Sequence, residues 1–307
     1  MVHDTSRAMA DDGEEGSAGL MTLLDLQSAG EGVFIGPPAT GGGPARTRVF
    51  GGQVLAQGLA AACFTVQSDV PCHSLHAYFA RPGIPARPIE YEVTSMRDGQ
   101  SFVLRNVAAV QRDELTCQLL VSFGRDTPGP EYQPAMPEVP PPESFPPEAE
   151  RLERMLEKAE PAQRVFLRYR SPIETIAVDA VDWTDRTPVT GPTRAWVRVR
   201  EELVSDPRLH QCALTFASDM GLLGPSLRAV GAGFGDPEMQ VASLDHALWF
   251  HRPFEWNDWM LFVVESLSVA GGRGLSRASY YTRGGQLVAS VAQEGLMRKR
   301  DPLASRD

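Results

Sequence analysis

The chain contains an internal repeat, and this repeat constrains the fold more than any other feature of the sequence. Residues 79–123 and 250–295 both begin with the pattern Phe-x-Arg-Pro. In each copy an apolar segment, a Gly-centred turn that ends in an arginine and a second apolar segment follow. The patterns start at Phe79 and Phe250, and this period of about 171 residues is too long for the unit of a solenoid. The repeat therefore predicts two copies of one domain, fused in a single chain.

The pattern within each copy predicts one helix followed by long antiparallel strands. Ala- and Leu-rich stretches favour helices, and alternating apolar and polar residues favour half-buried strands. We predict helices over 53–64, 148–158 and 209–223, and strands over 73–80, 89–97, 101–111, 115–124, 194–202, 239–250, 260–269, 275–282 and 286–297. One helix packed on a curved sheet gives an α+β fold, and two such units can pair their edge strands.

The repeat and the local composition divide the chain into five segments. Residues 126–147 hold nine prolines, which predicts a stiff, extended linker between the copies. We predict a disordered tail over 1–18, an N-terminal unit over 19–125, a Pro-rich linker over 126–150, a C-terminal unit over 151–300 and a second tail over 301–307.

Composition and charge exclude several classes of protein. The 307 residues are 42 % apolar and 22 % charged, as in globular proteins, and no apolar run approaches the roughly 18 residues of a membrane span. The net charge of −10 disfavours nucleic acid and anionic membranes as partners. A phosphorylated small ligand needs only a local basic cluster such as 298–300, although a short basic run is usually a solvated strand end. The N-terminus is polar and acidic, unlike a secretory signal, so we expect a cytoplasmic protein. The four cysteines form no C-x-x-C pair, so we expect reduced thiols and no metal site.

Six segments resemble, in order, segments of the acyl-CoA thioesterase II family. They are 48–57 (RVFGGQVLAQ), 73–83 (HSLHAYFARPG), 97–102 (RDGQSF), 105–111 (RNVAAVQ), 244–254 (LDHALWFHRPF) and 288–298 (VASVAQEGLMR). The resemblance covers roughly residues 20–300. It implies the double hotdog fold, in which an antiparallel sheet wraps a central helix twice per chain. It also implies hydrolysis of an acyl-CoA substrate without a cofactor, and association into a homo-oligomer, a dimer or tetramer of double hotdogs.

The resemblance also implies a set of site residues. The family uses an Asp, a Thr or Ser, and a Gln to hold the attacking water, and its motifs place these at Asp219, Ser243 and Gln293. Serine stands where threonine is common, so the hydroxyl is kept and a methyl group is lost. Hotdog sites form between paired units, so we expect backbone N–H groups of the first unit, at Gly51, Gly52 and Gln53, to stabilise the oxyanion.

The residues themselves leave more than one interpretation open. A buried amide such as Gln293 can be satisfied by the backbone alone, and a carboxylate such as Asp219 can be a helix-start cap or a functional base. Comparison of the copies favours function, because the candidate polar residues occur in the second copy only. The alignment sets Gln293 opposite Val121, Ser243 opposite Cys72 and Asp219 roughly opposite Gly52.

Other chemistries fit the sequence less well. Ser243, Asp245 and His246 supply the residue types of a catalytic triad, but their near adjacency on one strand prevents triad geometry. We interpret His246 and His251 as packing or hydrogen-bonding residues, since no cluster of metal ligands surrounds them. The main alternative to a thioesterase is a hotdog protein that binds acyl-CoA without turnover. A hydratase is less consistent, because no His/Asp pair occurs at a helix start. Direct attack by Asp219, giving an anhydride, stays open beside the general-base mechanism.

Overall fold

The computed structural model describes residues 19–38, 47–159, 164, 171–179, 186–233, 236 and 238–300. The two predicted tails, 1–18 and 301–307, lie outside the described residues. The first part of the chain forms α1 Leu20–Leu23, β1 Gln27–Gly30, β2 Val33–Gly36, α2 Gly51–Phe64, β3 Cys72–Phe79, β4 Ile89–Asp98, β5 Phe102–Gln111 and β6 Glu114–Gly124. The second part forms α3 Glu148–Lys158, β7 Ile173–Ala177, β8 Thr193–Val199, α4 Pro207–Ser218, α5 Gly224–Ala229, β9 Met239–Ser243, β10 Asp245–Phe250, β11 Met260–Ala270, β12 Arg273–Thr282 and β13 Leu287–Lys299.

These strands form one antiparallel sheet that runs through both copies. Its order is β1-β2-β4-β5-β6-β3-β10-β13-β12-β11-β8-β7, and β9 pairs with β13 beside this path. Read outward from the junction of β3 and β10, the two halves have the same order of strands. The β-bulge in β4 between Ser95 and Arg97 recurs in β11 between Ser266 and Ser268. The repeat in the sequence is therefore a repeat in the topology.

The junction between the two halves is nearly symmetric. β3 and β10 pair antiparallel, with His76 opposite Ala247, Leu75 opposite Leu248, and Ala77 opposite His246. His76 and Ala247 hold the same place in the two copies, 171 residues apart by subtraction of their numbers. Because each edge strand pairs with its own counterpart, neither copy exposes that edge to solvent or to other chains.

The two long helices lie antiparallel inside the curved sheet. α2 is rich in Ala, Gly and Leu, and its residues from Gly52 to Cys63 are all buried. A helix that is apolar on every side is stable only when it is enclosed, here by the sheet on one side and α4 on the other. Helices and inward strand faces share one apolar core, which includes Leu59, Leu119, Leu214 and Tyr280. Each copy is thus a helix wrapped by an antiparallel sheet.

The predicted long elements agree with the observed ones to within a few residues, and the differences have local causes. The helix predicted over 209–223 ends early, at Ser218, because Gly221 adopts φ +69° and the chain turns there, and the short helix α5 that begins at Gly224 is not predicted. The strand predicted over 239–250 divides into β9 and β10 at Leu244. The short strands β1, β2 and β7 are not predicted, since four or five residues carry too little alternation.

The Pro-rich segment is extended, and it also packs on the outer face of the second half of the sheet. The indole of Trp196 donates to Pro140 O over 2.9 Å. The side chain of Gln133 donates to Gly285 O over 2.8 Å and accepts from the Leu287 N–H over 3.0 Å. Linker residues cover a second apolar cluster, which consists of Ile176, Trp196, Trp259, Leu261, Tyr281 and Leu287. The linker is therefore part of the folded structure of the second unit.

Candidate active site

Asp219 lies where the helix α4 ends. It is the C-cap residue of α4, with φ −87° and ψ −6°, and it is partly buried. Two residues later Gly221 takes a positive φ, which costs glycine little and lets the chain leave the helix axis. Since α2 and α4 run antiparallel, the end of α4 lies beside the start of α2. The carboxylate is therefore held between the two units.

The Asp219 carboxylate caps the first turn of α2. The N-cap residue of α2, Phe50, provides no side-chain hydrogen bond to the helix. Instead the Gly52 N–H donates to Asp219 Oδ2 over 2.9 Å. The positive end of the α2 dipole favours a negative charge at this point. Asp219 is thus a helix cap, as one of the two interpretations predicts, but it caps the helix of the other unit. The cap uses Oδ2, and Oδ1 faces Ser243.

Two glycines permit the close approach of the two helices. A Cβ on Gly52 would lie 2.2 Å from Phe216 O, far inside van der Waals contact. A Cβ on Gly51 would lie 2.7 Å from Asp219 Oδ2 and 2.9 Å from the ring of Phe79. Any side chain at these positions would push α2 away from α4. The Gly-Gly pair therefore sets the distance between the capped N–H and the carboxylate.

Strands of the second unit bring the other two candidate residues to Asp219. Ser243 is the last residue of β9, and the buried Gln293 lies on β13, one strand away. Gln293 Nε2 donates to Ser243 Oγ over 2.8 Å, and Ser243 Oγ lies 3.5 Å from Asp219 Oδ1. Residues separated by up to 74 positions, from 219 to 293, thus form one hydrogen-bonded group.

The environment of Asp219 changes its acidity. Burial raises the pKa of the Asp219 carboxyl to about 6, because desolvation penalises the charged form. Hydrogen bonds from Gln293, from the Gly52 N–H and from Ser243 act in the opposite direction and keep the pKa from rising further. A carboxyl with a pKa near 6 is ionised at neutral pH and is a stronger base than an exposed aspartate.

His246 joins the group through Gln293, and this contact is not predicted from the sequence. His246 Nδ1 lies 2.6 Å from Gln293 Oε1, and Nε2 lies 2.9 Å from Ser218 Oγ. The interpretation of His246 as a hydrogen-bonding residue is confirmed, but the position of its partner is new. The repeat could have pointed to His246, because the corresponding residue of the first copy is the apolar Leu75.

The three predicted oxyanion donors have different surroundings. The Gly52 N–H is bonded to Asp219. The Gln53 N–H donates to Phe50 O over 3.1 Å, and the Gln53 side chain turns away to Pro37 O at 3.2 Å. Gly51 is the first residue of α2, where a helix leaves the N–H groups without intrahelical partners. Of the three, the Gly51 N–H has the position that best suits an oxyanion donor.

The predicted alignment of Asp219 with Gly52 is wrong. Gly52 lies at the start of α2, whereas Asp219 follows the end of α4, and the two residues meet only because the helices are antiparallel. The place of Asp219 in the first copy is held by Thr65, the C-cap residue of α2. The helix sequences of the two copies share too few features for this register to be found from sequence.

The corresponding place in the first copy is closed by other side chains. Leu75 on β3 lies opposite Val121 on β6, so an apolar pair replaces the polar pair of the second copy. The guanidinium of Arg208, from the start of α4, donates to Cys63 O over 2.7 Å and to Val66 O over 3.0 Å. These bonds satisfy the carbonyl groups at the end of α2. Only the second copy has a carboxylate at this type of position.

The structure contains no obvious metal centre or membrane helix in its described part. Within those residues, no group of three or more His, Cys, Asp or Glu side chains could hold a metal ion. No helix among them is long and apolar enough to cross a bilayer.

Comparisons with known proteins place the chain in the family that its sequence segments resemble. A family model described as acyl-CoA thioesterase matches residues 180–296, and one described as acyl-CoA thioesterase N-terminal domain matches residues 39–124. Acyl-CoA thioesterase 2 of Haemophilus influenzae is 35 % identical over 280 residues, which cover 91 % of this chain and 96 % of that protein. Human acyl-coenzyme A thioesterase 8 is 34 % identical, with 90 % of this chain and 88 % of that protein covered.

Solved structures support the same grouping. The crystal structure of an acyl-CoA thioesterase II from Mycobacterium marinum superposes with a TM-score of 0.73 at 34 % identity, and covers 92 % of this chain and 98 % of that one. A hot dog fold protein from Alicyclobacillus acidocaldarius superposes with a TM-score of 0.72 at 18 % identity, covering 92 % and 98 % of the chains. The second likeness concerns the fold alone. The predicted double hotdog fold is confirmed.

Proposed function

Since the chain belongs to the acyl-CoA thioesterase family and is a thioester hydrolase, we propose that it hydrolyses fatty acyl-CoA to the free fatty acid and CoA with a water molecule held by Asp219, Ser243 and Gln293. The observation that carries this proposal is the meeting of these three side chains at the start of α2. The family assignment favours hydrolysis over the alternative of binding without turnover.

The proposed chemical step begins with Asp219 as general base. Its carboxylate takes a proton from the water while the water oxygen attacks the thioester carbonyl carbon. The tetrahedral intermediate then expels CoA as a thiolate, which recovers the proton. A carboxylate with a pKa of about 6 is largely ionised at neutral pH, and it still accepts a proton more readily than an ordinary aspartate.

Ser243 and Gln293 hold the water and define its direction of attack. The Gln293 amide donates to Ser243 Oγ, which directs the serine hydroxyl hydrogen towards Asp219 Oδ1. The distance of 3.5 Å between Ser243 Oγ and Asp219 Oδ1 is long for a direct hydrogen bond. A water molecule beside this pair, within hydrogen-bond distance of both oxygens, would accept from the hydroxyl and donate to the carboxylate.

The Gly51 N–H is the proposed donor to the oxyanion. It lies at the positive end of α2, and the lack of a side chain allows the Asp219 carboxylate and the Phe79 ring to approach the backbone there. This role joins the two units in one site, because the donor comes from the first unit and the base from the second.

The function is tested by following CoA release from saturated acyl-CoA substrates of increasing chain length. The wild-type protein should release CoA, and Asp219→Asn should lower kcat by about 10²- to 10⁴-fold, as expected for loss of a general base. An unchanged rate in Asp219→Asn would overturn the assignment of the base. Hydrolysis in ¹⁸O-water provides a second test: label found first in Asp219 after one turnover would replace the general-base step with an anhydride.

A further inference from the structure

The hydrogen-bonded group at the site continues beyond Gln293 to a second buried residue. His246 on β10 is only 1 % exposed, and it connects β13 with the end of α4. Its two ring nitrogens lie 2.6 Å from Gln293 Oε1 and 2.9 Å from Ser218 Oγ. Ser218 directly precedes Asp219. The imidazole therefore links the strand that carries the amide to the helix end that carries the base.

The orientation of the Gln293 amide determines which ring nitrogen of His246 carries the proton. The Gln293 oxygen can only accept, so Nδ1 must carry the hydrogen and donate it. Burial lowers the pKa of His246 to about 4, which keeps the ring neutral at physiological pH. In a neutral ring Nε2 is then an acceptor. The Ser218 hydroxyl has one hydrogen and two acceptors within reach, Thr215 O at 2.8 Å and Nε2 at 2.9 Å, and this tautomer requires that it donates to Nε2.

All donors in this chain of groups point in one direction. The order is Ser218 hydroxyl to His246 Nε2, His246 Nδ1–H to Gln293 Oε1, Gln293 Nε2–H to Ser243 Oγ, and Ser243 hydroxyl towards Asp219 Oδ1. The chain ends on the carboxylate, so each bond favours the ionised form of Asp219.

The opposite tautomer of His246 would reverse this order. With the proton on Nε2, the ring would offer an acceptor at Nδ1, and Gln293 would turn its NH₂ group towards it. The Gln293 oxygen would then face Ser243, and the serine hydroxyl would donate to that oxygen instead of to Asp219. The tautomer of His246 thus determines whether Gln293 turns its NH₂ group or its oxygen towards Ser243.

The fold does not require a polar pair at this place. In the first copy the same two positions are Leu75 and Val121, opposite each other in adjacent strands and fully buried. Burying an imidazole and an amide instead of two apolar side chains costs desolvation free energy. The polar pair occurs only in the unit that also carries Asp219, which associates it with the chemistry.

We propose that His246 is a positioning residue, which holds the Gln293 amide with its NH₂ group towards Ser243 and thereby directs the serine hydroxyl to Asp219. This inference rests on the proposed function, since Gln293 and Asp219 take their roles from it. In this arrangement the bond to Ser218 fixes the imidazole ring, and His246 acts on the reacting groups through the Gln293 amide.

Steady-state kinetics of a double-mutant cycle tests the proposal. His246→Leu introduces the residue of the first copy, and it should lower kcat about 10- to 100-fold while KM changes less than about twofold. His246→Asn, whose amide N–H can replace Nδ1–H, should recover much of this loss. In a Gln293→Ala background His246→Leu should have no further effect, because its route to the site is already removed. As a matched control, His73→Leu removes a histidine of β3 that contacts Ser122 Oγ at 2.8 Å, away from the site, and should leave kcat unchanged.

Two kinetic outcomes would overturn the proposal. One is a His246→Leu protein that keeps the wild-type kcat, and the other is an equal loss in the wild-type and Gln293→Ala backgrounds. If His246→Leu does not fold, the tautomer of His246 in the wild-type protein decides instead. Histidine-selective ¹⁵N NMR provides a readout that needs no activity: the signal absent from His246→Asn should show protonated Nδ1, and protonated Nε2 would contradict the proposal. If the wild type releases no CoA, the proposed function fails, and the tautomer alone decides on His246.

Discussion

The carboxyl of Asp219 combines two opposing requirements at the level of a single residue. A base must be ionised to accept a proton, yet it accepts more readily when burial penalises the ionised form. Desolvation raises the pKa of Asp219, and hydrogen bonds from Gln293, from the Gly52 N–H and from Ser243 lower it again, which leaves the pKa at about 6. The resulting group is active at neutral pH and destabilises the folded protein there, because its charge is costly where it lies.

The pH dependence of activity follows from this pKa. We expect kcat/KM to rise with pH through a midpoint of about 6 and to level off above it, since only ionised Asp219 acts as a base. Assays of CoA release from about two pH units below this midpoint to about two units above it measure the profile. A profile that is flat across pH 6 would show that a different group limits the reaction.

The stability of Asp219→Asn follows from the same pKa with a defined sign. The pKa of Asp219 is raised in the folded state, so its favourable contribution to folding is complete at low pH and is lost as pH rises through about 6. Asp219→Asn carries no charge, so its Tm should exceed that of the wild type at pH 8 by a few degrees. The gap should close towards pH 4. Calorimetry at both pH values checks the sign, and a lower Tm for the variant at pH 8 would contradict it.

Ser243 should act through its hydroxyl and not through its shape. Ser243→Ala removes the group that contacts Asp219 and Gln293, so we expect kcat to fall at least about tenfold. Ser243→Thr keeps the hydroxyl and adds a methyl group that restricts its rotamers, so activity should stay within a few-fold of the wild type. Parallel kinetics of the two variants separate the two effects. Equal loss in both would mean that the site rejects any change of volume there.

At the level of elements, the site depends on how closely α2 and α4 approach. The helices meet at Gly52. Phe216 O lies so close to the Gly52 α-carbon that a Cβ methyl group has no room there. Close contact is what allows the Gly52 N–H to reach the carboxylate of the other unit. The absence of a side chain at Gly52 therefore sets the distance between α2 and α4.

Gly52→Ala should separate the helices and weaken the site. The added methyl group would lie 2.2 Å from Phe216 O, and because that atom belongs to the backbone, the whole helix must shift. We expect a loss of about 1–3 kcal/mol in the free energy of unfolding, typical of overpacking, together with a lower kcat. Urea denaturation and kinetics measure the two effects.

Gly58→Ala is the matched control in the same helix. Its Cβ would meet only the side-chain methyl groups of Leu119, at 3.0 and 3.2 Å, which can move slightly. Alanine is also the better helix former by up to about 1 kcal/mol, so the two effects should nearly cancel. Comparable damage from Gly58→Ala and Gly52→Ala would show that α2 resists any added volume, and that the contact with Phe216 has no special role.

The elements that are predicted best from the sequence are those that are long or that recur in both copies. The strands around Tyr91 and Tyr280 are found because alternation extends over ten residues and recurs in the second copy. The end of α4 is not found, because Asp219 continues an apolar stretch in the sequence, although the chain turns at Gly221. The link from Gln293 to His246 is also missed as a pair, since cross-strand register determines it.

On the scale of the whole molecule, the asymmetry of the two copies organises the function. The sheet order is the same on both sides of the β3–β10 junction, so the two units are equivalent in topology. The candidate polar residues lie at the end of α4, whereas the carbonyl groups at the end of α2 are bonded by Arg208. The first unit nevertheless contributes the start of α2, so neither unit contains the complete candidate site.

A split protein should therefore require both units for activity. The boundary lies in the exposed stretch 125–132, and a protease site inserted between Thr127 and Pro128 allows the folded chain to be cut there. We expect the nicked protein to keep its kcat within about twofold, because the β3–β10 hydrogen bonds and the α2–α4 contact still hold the halves together.

The separated halves complete this prediction. Residues 1–127 provide Gly51 and Gly52, and residues 128–307 provide Asp219 and the side chains that hold the water, so each half alone should be inactive and mixing should restore CoA release. Size-exclusion chromatography of the nicked protein distinguishes dissociation from loss of the site. Full activity in the C-terminal half alone would mean that the start of α2 is no part of the site, because the base would then work without its cap. Inactivity of a nicked protein that stays associated would instead show that chain continuity, and not only contact between the units, keeps Asp219 in position.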